Sequence, residues 1–336
     1  MKIMATIKDV AKLAGVSSST VSRALSGKIP VDEKTKERVL AAVKQLNYQP
    51  NALAKGLKEG KTRTIGLIVP NICNPVFPLV SRGVEDAARK HGYTLILCNT
   101  DEDLDREREA IQKLRKHWVD GIILATSGTE NIHIREVKNS GLPLVLLIRK
   151  MGEEIDAVMI DNYNSAFKGV SYLIRMGHRK IAIVNGDDKL ILYQQRFQGY
   201  IHALKDAGIA FDPSLVLSVS NEDSCYETVS SFLQRGKDID AFFAASDLLA
   251  LEVMRAAQDA GFSIPEDISV LGFDDLPFSP FLNPPLTTVH QPLYQMGQNA
   301  AERLISIIEG EQSKPIVQVL ETKLIERKSV LRRCHE

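Results

Sequence analysis

From residue 6 to residue 25 the apolar positions recur with helical spacing. Ile7, Val10, Ala11 and Ala14 fall on one face of a first short helix, with Thr6 as a good N-cap and Asp9 three residues on in capping-box position. Gly15 supplies a turn where left-handed backbone costs little. Ser17 then predicts the N-cap of a second helix. Ser18 and Ser19 stand in its first turn, Val21 and Leu25 face inward, and Arg23 lies one turn beyond Ser19 on the outward side. Asp32 predicts the cap of a third helix to about Asn47, whose Val39, Val43 and Leu46 close a small core. Two short helices across a tight glycine turn, the second opening with hydroxyls, form the pattern of a helix-turn-helix that enters the DNA major groove.

The pattern changes twice further on. Pro50 blocks continuation of the third helix after Tyr48, and Asn51 can cap a short new one over Ala52–Leu57. A helix of that length is marginal alone in water, and Gly56 weakens it by about 1 kcal/mol against Ala. From residue 64, short β-branched runs alternate with helical stretches. Ile65–Val69, Thr94–Cys98, Gly121–Ala125, Leu144–Ile148, Ile181–Val184, Ala241–Ala245 and Val270–Phe273 read as buried parallel strands. Helices are expected over Phe77–His91, Leu104–His117, Ala166–Met176, Gln195–Ala207, Leu248–Ala260 and Met296–Glu309. This β-α-β repetition predicts an α/β fold with doubly wound sheets, in two similar halves about Asp161 with a cleft between them.

Composition adds one thing to this picture. The 336 residues have no formal net charge, yet residues 1–63 hold thirteen Lys or Arg against five Asp or Glu, and the remainder is acidic to the same extent. A basic head on an acidic body implies a polyanionic partner for the head alone. The four cysteines (Cys73, Cys98, Cys225, Cys334) have no zinc spacing, and Cys98 reads as core filler. Lys8, Asp9 and Lys12 stand where a signal peptide would be apolar, so a cytoplasmic protein is expected, with no membrane contact. The motifs of dinucleotide-binding, phosphate-binding and serine-hydrolase folds are all missing, so neither an enzyme nor a cofactor or metal is expected. A solute-binding protein for transport would need export and would have no use for a basic head.

In such a head, phosphate contacts set the register and base edges carry the sequence information. Arg23 can reach guanine with two hydrogen bonds, worth about 1–3 kcal/mol of discrimination. Ser18 and Ser19 are short and tolerate several bases.

At this point a resemblance becomes specific. Ile7 to Leu25, Asp32 to Tyr48 and Pro50-Asn51-Ala52-Leu53-Ala54 resemble the lactose and purine repressor family of bacterial transcription regulators. Asn74-Pro75, Val119-Asp120-Gly121-Ile122-Ile123, Asp161-Asn162, Gly177-His178-Arg179 and Leu286-Thr287-Thr288-Val289-His290-Gln291-Pro292 resemble its effector domain, itself similar to periplasmic sugar-binding proteins. The resemblance implies a helix-turn-helix domain over 1–48 and a hinge over 49–63. It further implies one lobe from 64–161 with 291–320 and a second from 162–290 with 321–336, crossing near Asp161, His290 and Leu320. It places DNA contacts at Thr6, Ser17, Ser18, Ser19, Thr20, Ser22 and Arg23, and in the hinge at Asn51, Ala54, Leu57 and Lys58. Leu57 is the expected minor-groove wedge. Gly56 departs from the helix-favouring residue expected there.

Ligands in doubly wound sheets bind beyond the carboxyl ends of the strands. The effector candidates are Asn71, Phe77, Arg149, Arg196, Ser246, Asp247 and Asp274. By resemblance, Arg196 and Asp274 match positions that hold effector hydroxyls or ring nitrogens. Either residue could instead belong to an ion pair between lobes, and Phe77 is either a stacking face or core. His178 reads as a structural turn residue. Leu190-Ile191-Leu192 is polar in purine-type relatives, which weighs against a purine and leaves a sugar or sugar derivative as the expected effector. The expected assembly is a homodimer on a palindromic operator, since the stretch before Glu336 leaves no room for a heptad tail.

Overall fold

The computed structural model describes residues 5–26, 30–48, 61–117, 119–126, 132–149, 154–220, 224–236, 238–311 and 314–333. The DNA contacts expected in the hinge at Asn51, Ala54, Leu57 and Lys58 lie outside these residues. The chain divides into two compact units, one up to Thr62 and the other from Arg63.

The first unit is built on α1 (Ile7–Ala14), α2 (Ser18–Ser26) and α3 (Glu33–Gln45). The capping box forms: Thr6 N donates to Asp9 Oδ2 at 2.8 Å, and Asp9 N donates to Thr6 Oγ1 at 3.4 Å. Gly15 takes φ 64°, the left-handed turn its missing Cβ permits. Val10, Val21 and Val39, one from each helix, are fully buried, with Ala11, Ala14, Ala24 and Ala42 around them. Leu25, Val43 and Leu46 pack against that centre from the rim.

In the second unit the elements alternate: β1 (Thr64–Val69), α4 (Val76–Lys90), β2 (Thr94–Asn99), α5 (Leu104–Lys116), β3 (Gly121–Leu124), α6 (Ile132–Asn139), β4 (Leu144–Leu147) and β5 (Asp156–Ile160). There follow α7 (Asn162–Arg175), β6 (Ile181–Asn185), α8 (Ile191–Asp206), β7 (Val216–Ser218), α9 (Cys225–Gln234), β8 (Ala241–Ala244), α10 (Asp247–Asp259), β9 (Ser269–Asp274) and β10 (Thr287–His290). The last are α11 (Leu293–Ile308), β11 (Val317–Leu320) and β12 (Lys323–Ile325). One sheet has the order β2-β1-β3-β4-β5-β11, all parallel, and the other β7-β6-β8-β9-β10-β12, parallel except for β12. The chain thus passes to the second sheet after β5, returns with α11, and passes over again between β11 and β12.

Several expectations are corrected. Thr94–Cys98 is no buried strand: β2 is an edge strand with Leu97 exposed, because nothing described lies beyond it. The helix expected from Gln195 begins at Ile191, since the apolar Leu190-Ile191-Leu192 run that hides the helical period is its first turn. The helices α6 and α9 and the strands β5, β7, β10, β11 and β12 are additional to those read from the pattern. Where α4 and α11 cross, Gly297 lets the backbones touch; a Cβ there would lie 2.0 Å from the Val80 carbonyl oxygen. Among the described residues no helix is long and apolar enough to cross a membrane.

Candidate functional site

On the head, Ser17, Ser19 and Arg23 are exposed, and Ser18, Thr20 and Ser22 are half-buried at the same helix. Ser17 Oγ accepts from Thr20 N at 3.1 Å and lies 2.7 Å from Ser19 Oγ and 2.9 Å from Thr20 Oγ1. Ser17 and Thr20 therefore order the start of α2, which leaves Arg23, one turn on, at the outer surface. Thr6 is engaged in the capping box, and the hydrogen bonds from Thr6 hold the Asp9 carboxyl below its ordinary range.

In the body, the carboxyl ends of β1, β4, β6, β8 and β9 open onto a cleft of about 480 Å³ between the two sheets. Its second-lobe wall is organised by Arg196 on α8. The guanidinium stacks 3.7 Å from the centre of the Phe273 ring, donates from Nε to Asn162 Oδ1 at 3.0 Å and from Nη1 to the Ala245 carbonyl at 2.5 Å. Asp274, at the end of β9, brings Oδ1 to 3.7 Å from Arg196 Nη1 and accepts from Gln291 Nε2 at 2.5 Å. Both side chains are buried, and both come from the second lobe, so the pair does not bridge the lobes. Burial pushes the Asp274 carboxyl up to about 7 against the pull of Arg196, with Asp247 adding to the rise. Burial also draws Arg196 below the ordinary guanidinium value.

The first-lobe wall carries Asn71, Phe77 and Arg149. Phe77 belongs to the core and also lines the cleft. Arg149 is held by the Thr126 carbonyl and sits 3.6 Å from Glu102 Oε2. Backbone strain gathers here: Ile148 has φ 67°, Asp101 53°, Glu102 60° and Asp274 130°, values L-residues seldom adopt. Tyr193 reaches the cleft by lying over Gly186, where a Cβ would come 2.3 Å from the ring.

One candidate is corrected. Asp247 is fully buried and does not line the cleft. Its Oδ2 accepts from Leu276 N at 2.8 Å and Ser279 Oγ at 2.5 Å, and its Oδ1 accepts from Thr288 Oγ1 at 2.5 Å. A carboxylate so fully engaged braces the loop after β9 rather than a ligand. Ser246 does line the cleft, while its Oγ caps α10 by accepting from Leu249 N at 3.2 Å. His178 is a buried tie: its Nε2 lies 3.1 Å from the Leu331 carbonyl. Glu102, Asp187, Tyr193 and Gln291 line the cleft without having been singled out. Glu102 and Asp187 follow strand ends, so the strand-end rule could have found them; Gln291 lies inside a quoted motif.

A three-helix head with an outward Arg23, and a two-sheet body with a polar cleft at its strand ends, define a DNA-binding regulator with an effector domain. The comparisons agree. Residues 6–51 match the model for bacterial regulatory proteins of the lacI family, and residues 62–328 match that for periplasmic binding proteins and the sugar binding domain of the LacI family. The chain belongs to the LacI family of bacterial transcription regulators. The ribose operon repressor of Halalkalibacterium halodurans is 37% identical over 97% of each chain, and the repressor PurR of Aliivibrio fischeri is 37% identical over 98% of this chain and 99% of its own. Among solved structures, the lac repressor dimer bound to operator and the anti-inducer ONPF matches with a TM-score of 0.89 at 26% identity over 98% and 100% of the two chains. The regulator CelR in complex with cellobiose matches at 0.74 and 33% identity over 97% and 99%.

Proposed function

We propose that this chain acts as a cytoplasmic homodimeric repressor. Its heads, residues 1–48, grip the half-sites of a palindromic operator, and its cleft takes a sugar or sugar derivative. Ser18, Ser19 and Arg23 read bases in this account, with Thr6, Ser17, Thr20 and Ser22 beside them. The hinge, 49–63, supplies Asn51, Ala54, Leu57 and Lys58. The lobes are 64–161 with 291–320 and 162–290 with 321–336, and the effector set is Asn71, Phe77, Arg149, Arg196, Ser246 and Asp274. The observation that carries this is the Arg196–Asp274 pair: a fork of donors and a carboxylate, buried together at the edge of an open cleft. Such a pair binds a polar ligand strongly and penalises one that leaves it unmatched. The names of the ribose operon repressor and of the CelR–cellobiose complex support the same ligand class.

The test is a selection of genomic fragments by the purified protein at moderate salt, with and without a small-molecule extract. The expected result is enrichment of a palindrome whose retention changes with the extract. Arg23→Ala should then lower affinity for that palindrome by about 10- to 100-fold, with random DNA bound nearly as before. Equal losses on both would reduce Arg23 to a phosphate contact.

A further inference from the structure

Asp274, which ends β9, and Asp275, which opens the loop after it, both hold a positive φ, 130° and 58°. Two such residues in succession persist only where their surroundings over-determine the backbone. Those surroundings divide by side. Asp274 faces the cleft, with Arg196 Nη1 at 3.7 Å and Gln291 Nε2 donating to Oδ1 at 2.5 Å. Asp275 does not line the cleft, and neither do His290 and Arg327, its two partners. Its Oδ2 lies 2.9 Å from His290 Nδ1, and its Oδ1 accepts from Arg327 Nη2 at 2.6 Å.

The partners are themselves fixed. In the parallel pairing of β9 with β10, His290 is level with Asp274, so Asp274-Asp275 lies against His290-Gln291. The Gln291 N–H donates to the Asp274 carbonyl at 3.2 Å, which ties the two dipeptides through the backbone. Arg327 comes from the segment after β12 and is anchored before it reaches Asp275. Its backbone N–H donates to Thr287 Oγ1 at 2.9 Å, and its Nη1 to the Leu286 carbonyl at 2.8 Å. Burial would raise the Asp275 carboxyl, yet hydrogen bonds from His290 and Arg327 hold it below its ordinary range, so a charged group closes the clasp. The chain leaves the second sheet for α11 directly after His290-Gln291, and it enters β12, just ahead of Arg327, from β11. The clasp therefore joins the loop after β9 to two of the three connections between the sheets.

A buried carboxyl gains by turning toward water, and a backbone at φ 130° gains by relaxing. For Asp274 both motions pass through the peptide that joins it to Asp275, and Asp275 is held from two further elements. We propose that Asp275, His290 and Arg327 are positioning residues of the effector site: the clasp they form outside the cleft keeps the Asp274 carboxyl against Arg196 and Gln291, where a ligand meets it. This rests on the effector reading above and adds to it three residues that touch no part of the cleft.

Carbon-13 NMR of the full-length protein, labelled at the aspartate carboxyls, tests the proposal without a ligand. The Asp274 signal is the one lost in Asp274→Asn, and in the parent it should titrate at about 7. Two variants open the clasp: Arg327→Met removes a cation, and Asp275→Glu keeps the charge but displaces it by one methylene. Both should retain the circular dichroism of the parent, and Asp275→Glu, the milder change, carries the test if Arg327→Met does not fold. Release of Asp274 toward water should lower its midpoint in both variants by at least about one pH unit. Charge alone predicts otherwise, since loss of the Arg327 cation would raise the midpoint and Asp275→Glu would leave it in place. That pattern, or midpoints unchanged in both variants, overturns the proposal. Failure of the genomic selection to show any response to small molecules would count against the effector reading and leave this titration as informative as before.

Discussion

Asp274 holds its backbone at φ 130° while its carboxyl is buried against Arg196 and Gln291. Its folded-state value of about 7 lies above the 3.8 of an exposed aspartate, so the folded protein binds this proton more tightly than the unfolded chain does. The stability that the protonated group contributes is complete below pH 3.8 and is lost as pH rises through about 7. Effector affinity should run the other way. A ligand that donates a hydroxyl to the Asp274 carboxylate favours the charged form, so binding should strengthen as pH rises through about 7. Asp274→Asn should flatten that profile and abolish the effector response while leaving operator binding nearly intact. Titrations across this pH range on both proteins check it, and a retained response in the variant would remove Asp274 from the site. The residues legible in the sequence were those whose chemistry and strand-end position coincide, as at Arg149 and Asp274. Asp247 fits the same rule, yet turns inward to Ser279 and Thr288, and nothing in its own neighbourhood of the chain reveals those partners. Gln291 gains its role only through contact with a residue 17 positions away.

At the scale of elements, central strands were legible where two-sided burial writes an unbroken apolar run, as in Gly121–Leu124 and Ala241–Ala244, and were missed where polar residues interrupt it, as at Asp156 in β5 and Thr287, Thr288 and His290 in β10. Edge strands carry no such mark. In β11 and β12 none of the residues is fully buried, so their sequences resemble loops until the sheet supplies a neighbour. The crossing of α4 and α11 is likewise invisible in periodicity, since Gly297 reads as a helix-weakening residue until a second backbone lies against it. Gly297→Ala should therefore destabilise the body by about 1–3 kcal/mol despite its better helix propensity. Urea denaturation followed by circular dichroism measures this, and an unchanged midpoint would mean that the helices separate without cost. The head, by contrast, was readable almost throughout. Its capping box and glycine turn are local, and local chemistry survives in the sequence.

At the scale of the molecule, effector and operator sites belong to one thermodynamic system. If the effector changes operator affinity by some factor, saturating operator must change effector affinity by the same factor, in the range of about 5 to 150 for ordinary coupling. Calorimetry of the effector with and without palindromic DNA measures one side, and operator titration with and without effector measures the other. Unequal factors would mean that the effector acts through a different equilibrium, such as subunit association.

The threading of the two sheets has a consequence for synthesis. Each sheet waits for a strand encoded near the far end: β11 at Val317–Leu320 for the first and β12 at Lys323–Ile325 for the second. The head leaves the ribosome with every helix of its core already present. A message cut short anywhere before codon 317 therefore yields a DNA reader whose metabolite sensor can never be finished.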